Sequence, residues 1–540
     1  MKKKTVLILV LLLLIVSVAG VFLFNSNYVL INGTVIDRDA SDVVITGGEL
    51  PEVEKLERIA AMKSLDLRAL DVSVEFYDML CQELPGCEIR WNVPYQGDKT
   101  DNSVTEISVR AMTPEYEAML QYFPNLQTVD ARECQDYDAL LELIAHRPDL
   151  QVIYNIDIGN MKLRETTTEC VISNENVHLL LESLPYLPEL KTVNSDGCTD
   201  YEALMAIREA RPELTVNYSV VIGKIPQAGD ATVLTLDIAD AGEALELLQY
   251  FPNLSSVTFN GSATDYELMY DLMTRYPDVV MDWRFSLFGV ETGSLETELL
   301  LNDIPMESTA AVEDALKYFY NLTWVEMCQC GIPSEEMDAL WKRHPETRFV
   351  WAIPMGNYFV RTDVKAFIPF KFGYHIDMPF YDTQARELKY LVDLECLDLG
   401  HMRMTDISFL QYMPKLRFLI LADVVCEDFS YMAGLTNLEY IELFRSKFDD
   451  VELLMNMKNL RELNIGWTNL KNPEKLKEMT WLTRLWASMN GMTGRELEDL
   501  RDSLPNTLVY INSVHPTEGG WRGSDLYCEM RDMLGMFYMK

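Results

Sequence analysis

The side chains that could do covalent or metal chemistry in this chain are scattered. The six histidines, His146, His178, His344, His375, His401 and His515, include no pair at helical ligand spacing and none repeats with a period. Cys328-Gln329-Cys330 is a CxC without a second pair nearby, and a zinc site needs four ligands. No HExxH, GxSxG or glycine-rich phosphate loop occurs. Acidic residues number 84, so a close pair such as Asp449-Asp450 reads as the acids that start a helix. These observations assign no catalytic, cofactor-binding or metal-binding residue, and the chain is not read as an enzyme. What remains is non-covalent recognition. Phe418, Tyr440, Glu442, Phe444, Trp467, Arg484 and Trp486 combine large rings with isolated charges, the composition of a binding hot spot. These seven are the candidate partner-binding residues.

The elements that position them follow from a repeat. Leu394, Leu416, Leu438, Leu460 and Leu482 lie 22 residues apart and open the phrases LECLDLG, LRFLILA, LEYIELF, LRELNIG and LTRLWAS. An unbroken period of this length means one coil stacked on copies of itself. Positions 1, 4 and 6 of each phrase are apolar and point inward, so positions 3, 5 and 7 share the opposite face of a strand. That face carries Phe418 and Ile420, then Tyr440, Glu442 and Phe444, then Glu462 and Asn464, then Arg484 and Trp486, with Trp467 at an adjoining eighth position. Stacking of these rings across neighbouring strands is the competing, purely structural reading.

A longer period precedes the short one. Tyr122, Tyr186, Tyr250 and Tyr318 begin similar copies at steps of 64, 64 and 68 residues, and a diverged copy comes first. Pro85, Pro148, Pro212, Pro277 and Pro345 mark all five, each ending a helix whose start is signalled by acids such as Asp136 and Asp200. After each proline an alternating run such as Leu150 to Ile156 reads as a strand, giving strand, helix, strand, helix, strand. Whether the last strand joins the common sheet or forms a hairpin stays open. The same positions 3, 5 and 7 are here small and polar: Thr128, Asp130 and Arg132, Thr192, Asn194 and Asp196, Ser256, Thr258 and Asn260, then Trp324 and Glu326.

Both repeats share LxxLxLxx and a ninth residue. This pattern resembles the leucine-rich-repeat family, closely over residues 391 to about 500 and more loosely over 42 to 390, and the last five coils are similar to the short repeats of internalins. The resemblance implies an α/β solenoid, a leucine-rich-repeat array with a parallel sheet on its concave side, and binding through that side. The ninth position departs from the family's asparagine, carrying Met402, Val424, Ser446, Thr468 and only then Asn490, so the buried turn must be satisfied in another way. No LPxTG-type sorting phrase is present, so attachment is expected to depend on the N-terminus.

There, residues 5–24 are uncharged and follow Lys2, Lys3 and Lys4. Twenty helical residues span roughly 30 Å, the thickness of a bilayer's hydrocarbon. The expectation is one uncleaved transmembrane helix with the lysines in the cytoplasm and the rest outside. Cleavage after Ser17-Val18-Ala19, giving a secreted protein, is the alternative. The reading divides the chain into a signal anchor (1–27), a membrane-proximal linker (28–41), five long repeats (42–360), a junction (361–390), five short repeats (391–512) and a C-terminal cap (513–540) that closes the open array with Trp521, Tyr527, Met530, Met533 and Leu534. One continuous solenoid is expected from about residue 42 to 512. The aromatic stretch 356–385, with Phe367, Phe370, Phe372, Tyr374, Phe380 and Tyr381, reads as an adaptor. A net charge of −38 excludes nucleic acid as a partner, because no basic face displaces counterions. Of the ten cysteines, Cys81 and Cys87 are the one pair read as a candidate disulfide. The expected function is a bacterial cell-surface protein that binds a protein or glycan. An envelope hydrolase targeted by repeats and a purely structural spacer are the alternatives.

Overall fold

The computed structural model describes residues 2–195, 197–356, 358–369, 380–512 and 518–536, with the backbone alone for 2–7, 19–25 and 518–519. Asp196, Phe370, Phe372 and Tyr374 therefore lie outside the described residues. The chain divides into two compact units, Met1–Thr232 with Glu246–Leu254, and Val233–Leu245 with Ser255–Lys540.

The first unit begins with a helix, Lys2–Asn27. Its described apolar side chains, from Ile8 to Val18, are exposed. Among the described residues no helix is long and apolar enough to cross a membrane. Tyr28–Ile31 and Thr34–Asp37 then form an antiparallel hairpin. Three triplets of parallel strands follow: Asp42–Val44, Ser64–Asp66 and Glu88–Arg90; Glu106–Ser108, Thr128–Ala131 and Gln151–Asp157; Glu169–Ile172, Thr192–Ser195 and Thr215–Asn217. The last strand of a long repeat does both things left open by the sequence. Gln151 to Tyr154 pair in parallel with Thr128 to Ala131, and Asn155 to Asp157 turn back on Lys162–Arg164. A separate hairpin, Ser219–Ile222 with Ile225–Ala228, closes the next copy. Two-residue turns make three hairpins, a third being Asn92–Tyr95 with Asp98–Asp101: Asn32-Gly33 (φ 48° and 79°), Gln96-Gly97 (51° and 83°) and Gly223-Lys224 (57° and 65°) are left-handed at both central positions, the geometry that matches strand twist.

The marker tyrosines of the long repeats lock one copy to the previous one. The ring of Tyr122 lies 5.6 Å from Tyr77 and that of Tyr186 lies 5.1 Å from Tyr137. The hydroxyl of Tyr122 donates to Asp78 (3.2 Å) and that of Tyr186 to Asp138 (2.8 Å), both in the first half of the earlier copy's helix. Of the two acids expected as caps, Asp136 makes no cap bond and accepts instead from the Met112 N–H (3.0 Å). Asp200 accepts from the Ala203 N–H and helix Tyr201–Ala210 ends two residues before Pro212.

The second unit repeats the scheme with Val233–Asp237, Ser256–Ala263 and Val280–Leu287, then Glu298–Leu300, Trp324–Glu326 and Arg348–Val350. Next comes a seven-stranded parallel sheet: Ala366–Phe367, Cys396–Asp398, Phe418–Ile420, Tyr440–Glu442, Glu462–Asn464, Arg484–Trp486 and Leu508–Tyr510. The register keeps the 22-residue step, with Cys396 opposite Phe418, Phe418 opposite Tyr440, Tyr440 opposite Glu462 and Glu462 opposite Arg484. The leucines at positions 1, 4 and 6 are buried. Short coils leave room only for 3₁₀ turns such as Ser408–Tyr412 and Val451–Leu454 on the far side, where the long repeats have ten-residue helices.

The missing asparagine ladder is replaced by backbone geometry and hydroxyls. The eighth residue of each short coil is left-handed: His401 (φ 64°), Asp423 (56°), Arg445 (56°), Trp467 (57°) and Met489 (59°). In this conformation its N–H reaches the next coil, as His401 does to the Ala422 carbonyl (2.7 Å), Asp423 to Phe444 (2.7 Å), Arg445 to Gly466 (3.0 Å) and Trp467 to Ser488 (3.0 Å). At the ninth position the Ser446 and Thr468 hydroxyls donate to the Leu443 and Ile465 carbonyls, 2.7 Å each.

Candidate partner-binding face

The seven candidate residues lie where the 22-residue register puts them, on or beside the strands Phe418–Ile420 to Arg484–Trp486. Their expected exposure is corrected. Phe418, Tyr440 and Trp486 have no exposed surface, Glu442 is 3% exposed and Phe444 8%. The Arg484 side chain is 12% exposed. Trp467 alone is open, at 42%.

The cause is the chain's own C-terminal segment. A 3₁₀ turn, Glu518–Gly523, and a helix, Asp525–Met533, lie on the sheet face formed by positions 3, 5 and 7. The cap was expected at the end of the array. It goes instead to the aromatic face, where its own rings find partners. Trp521 meets Trp486 edge to face at 5.6 Å and also packs on Tyr440 and Tyr510. Tyr527 lies 6.1 Å from Tyr440. Met530 joins the same buried cluster, with Leu526, Met533 and Leu534 at its margin.

Polar groups fix the register of this contact. The Trp521 indole N–H donates to the Tyr440 hydroxyl (3.0 Å), which donates to Glu442 (2.9 Å). Ser524 caps the helix by accepting from the Tyr527 N–H and donates its hydroxyl to Glu462 (2.7 Å). Arg484 pairs with Glu462 (3.1 Å), donates to the Trp521 and Gly520 carbonyls (3.0 and 3.1 Å) and stacks 4.6 Å over the Trp521 ring. Arg417 bridges to Glu529 at 2.8 Å. Burial raises the carboxyl pKa values of Glu442 and Glu462 above the ordinary range, and for Glu462 it outweighs the opposing pull of Ser524 and Arg484. Burial likewise raises Asp398, two coils before Glu442.

Sequence reasoning missed a second feature. The left-handed eighth residues form a row beside this face. His401, Arg445, Trp467 and Met489 are exposed and Asp423 is half-buried. His401 and Asp423 pair at 3.1 Å, and the Arg445 guanidinium sits 6.0 Å over the Trp467 ring. The only hint in the sequence is that non-glycine residues fill a slot that must turn.

Elsewhere the polar candidates are engaged locally. Asp130 pairs with Arg132 (2.6 Å), and Asn217 donates to Asn194 (2.8 Å). Glu326 accepts from Arg361 (2.7 Å) and Asn302 (2.8 Å), and the Arg361 bonds bring its carboxyl down to about 2. Four histidines each meet a carboxylate of a neighbouring coil: His146 with Glu117, His178 with Asp200, His344 with Glu313 and His401 with Asp423. Among the described residues no three His, Cys, Asp or Glu side chains are gathered as a metal site. Cys81 and Cys87 are free thiols, not a disulfide.

The chain is similar to leucine-rich-repeat proteins, internalins among them. Internalin C2 of Listeria monocytogenes is 16% identical over 40% of this chain and 80% of its own length, with a TM-score of 0.22. A second Listeria internalin is 15% identical over 78% and 91%, with a TM-score of 0.22. A leucine-rich-repeat protein of Leptospira interrogans is 13% identical over 86% and 92%, with a TM-score of 0.24. Such scores describe no common superposition, so the leucine-rich-repeat fold rests on the phrase and the parallel register described above. No family model and no curated protein matches the chain.

Proposed function

We propose that this chain is a leucine-rich-repeat protein that binds another protein, is held in a membrane by residues 5–24 and is displayed on the outer side. The uncharged run with lysines on one side only supports the anchor. The observation that carries the binding reading is the row of eighth residues. A left-handed backbone costs a non-glycine residue roughly 1–2 kcal/mol, and glycine or asparagine would relieve it. Instead the row holds out Arg445, Trp467 and Met489, side chains suited to protein contacts. Strain kept at consecutive positions is a signature of a functional surface. A structural spacer needs the turn, whose N–H groups bond the next coil, but not large exposed side chains on it.

The test is capture of partners from cell-surface extracts with the full-length protein, then comparison with Trp467→Asn. Asparagine tolerates the left-handed backbone, so thermal unfolding stays close to wild type. Loss of about 2 kcal/mol or more in affinity is expected of a hot-spot tryptophan. Unchanged affinity in the variant overturns this assignment, and competition by free sugars would identify the partner as a glycan.

A further inference from the structure

We propose that residues 520–536 are a releasable occupant of the aromatic sheet face, and that the surface they cover is a groove for an amphipathic helix. Three observations carry this. First, the segment adds no strand to the sheet. It is held by ring contacts, by the Trp521–Tyr440 hydrogen bond, by Arg484 on two carbonyls, and by the Ser524–Glu462 and Arg417–Glu529 pairs. No backbone ladder resists its departure. Second, the covered face is not built for permanent burial. Glu442 and Glu462 lie in it, two carboxyls that lose water when the segment covers them and regain it when the segment lifts. Third, the docking mode is that of a helix in a groove. Tyr527 and Met530 are buried, three residues apart on one helix face, with Leu534 following at the next turn.

Buried carboxyls add a pH dependence to the closed state. Glu442 is faced by Tyr440, Asp398, His401 and Arg522, and Glu462 by Ser524, Arg484 and Asp525, while Arg531 and Tyr527 approach Asp398 and Glu442. Closure raises the carboxyl pKa values, so the closed state is favoured while they are protonated and weakens as pH rises through the raised values. Partner helices of the same chemistry, an aromatic anchor with apolar residues at i and i+3, would compete for the groove.

Cys396 reports on release in the unmodified full chain. It is fully buried with its Sγ 3.9 Å from the Met530 carbonyl, directly under the segment. Cys426, one coil further, is fully buried in the array's core and serves as the internal control. N-ethylmaleimide labelling followed by mass spectrometry is expected to modify Cys396 at least about tenfold faster than Cys426 under native conditions, because local opening precedes global unfolding. The ratio should rise as pH increases above the ordinary carboxylate range, and fall when a synthetic peptide of residues 520–536 is added in excess. Ser524→Ala, a mild change, should raise Cys396 labelling several-fold while Cys426 stays unchanged, and Trp521→Ala should raise it further. Equal rates at the two cysteines, moving together in both variants, would make the segment an inseparable part of the fold and overturn the proposal.

Discussion

Trp521 donates its indole N–H to the hydroxyl of Tyr440 at 3.0 Å across 81 residues of sequence. The tyrosine passes its own proton toward Glu442 at 2.9 Å. A donor-only indole, a phenol that both accepts and donates, and a carboxyl acceptor make a chain in which no member can be replaced by a neighbour on the sheet. The contact is buried at both ends, since Tyr440 and Trp521 have no exposed surface. It therefore specifies which part of the C-terminal segment meets which coil, in addition to stabilising the contact.

Removing the hydroxyl alone should reveal this. Tyr440→Phe keeps the ring but leaves the Trp521 N–H and one face of Glu442 without their partner. The expected cost is about 1–3 kcal/mol, against about 3–5 kcal/mol when the whole ring is lost in Tyr440→Ala. Urea unfolding measures both. In a double-mutant cycle with Trp521→Phe the losses should be less than additive, and strict additivity would mean that the bond contributes nothing.

Acidity should act on stability through Glu442. Its carboxyl pKa is higher folded than unfolded because burial disfavours the charged form. Protons are thus bound more tightly by the folded state. Its contribution is fully present below the ordinary carboxylate range and is lost as pH rises through the raised value. The unfolding midpoint should fall from the ordinary carboxylate range upward, and Glu442→Gln should flatten that slope. A midpoint that rises over the same range in wild type, with Glu442→Gln unchanged, would exclude Glu442 as the cause.

The N-terminal anchor has a direct test. Mature protein recovered from membranes should begin ahead of residue 20 and resist salt extraction. A chain starting near Gly20 and found in the medium would establish cleavage instead.

Much of the fold was legible because an uninterrupted leucine period leaves no choice of register. Leu394 to Leu482 assign every inward and outward position of the short coils, and the strands pair accordingly. The hairpins of the long repeats were one of two readings left open, and the glycine in turns such as Gln96-Gly97 and Gly223-Lys224 is the local signal that favours them. The seven site residues lie on or beside the strands to which the register assigns them, yet the burial of six, all but Trp467, was not legible. Burial depends on a segment far away in sequence that shares no period with them. Trp521, Tyr527 and Met530 were read as a cap, and nothing local says which apolar surface a cap chooses. The left-handed eighth position was hidden for another reason. Glycine usually announces such a backbone, and His401, Asp423, Arg445, Trp467 and Met489 do not.

Hydroxyls at the ninth position should prove essential to the turns. Ser446 donates to the Leu443 carbonyl at 2.7 Å and accepts from the Phe448 N–H at 3.3 Å. Ser446→Ala leaves that buried N–H without an acceptor, at an expected cost of about 1–3 kcal/mol in denaturant unfolding. Ser446→Thr should restore most of it, because the hydroxyl stays. Failure of threonine to rescue would indicate that packing volume, not hydrogen bonding, decides the slot.

The eighth-position row should show stability and binding moving in opposite directions. Met489 is 58% exposed and left-handed at φ 59°. Replacing it by glycine removes the clash of Cβ with the backbone, worth roughly 1–2 kcal/mol, and loses about 0.5–1 kcal/mol to the freer unfolded chain. Met489→Gly should therefore be neutral to about 1 kcal/mol more stable by thermal unfolding, a sign opposite to that of most substitutions. If the row contacts a partner, the same variant should bind it more weakly, since an exposed thioether is lost where the strained backbone holds it out. A variant that gains stability and keeps full affinity would reduce the left-handed row to a property of the coil's turn, and would confine the contact to Trp467 and Arg445.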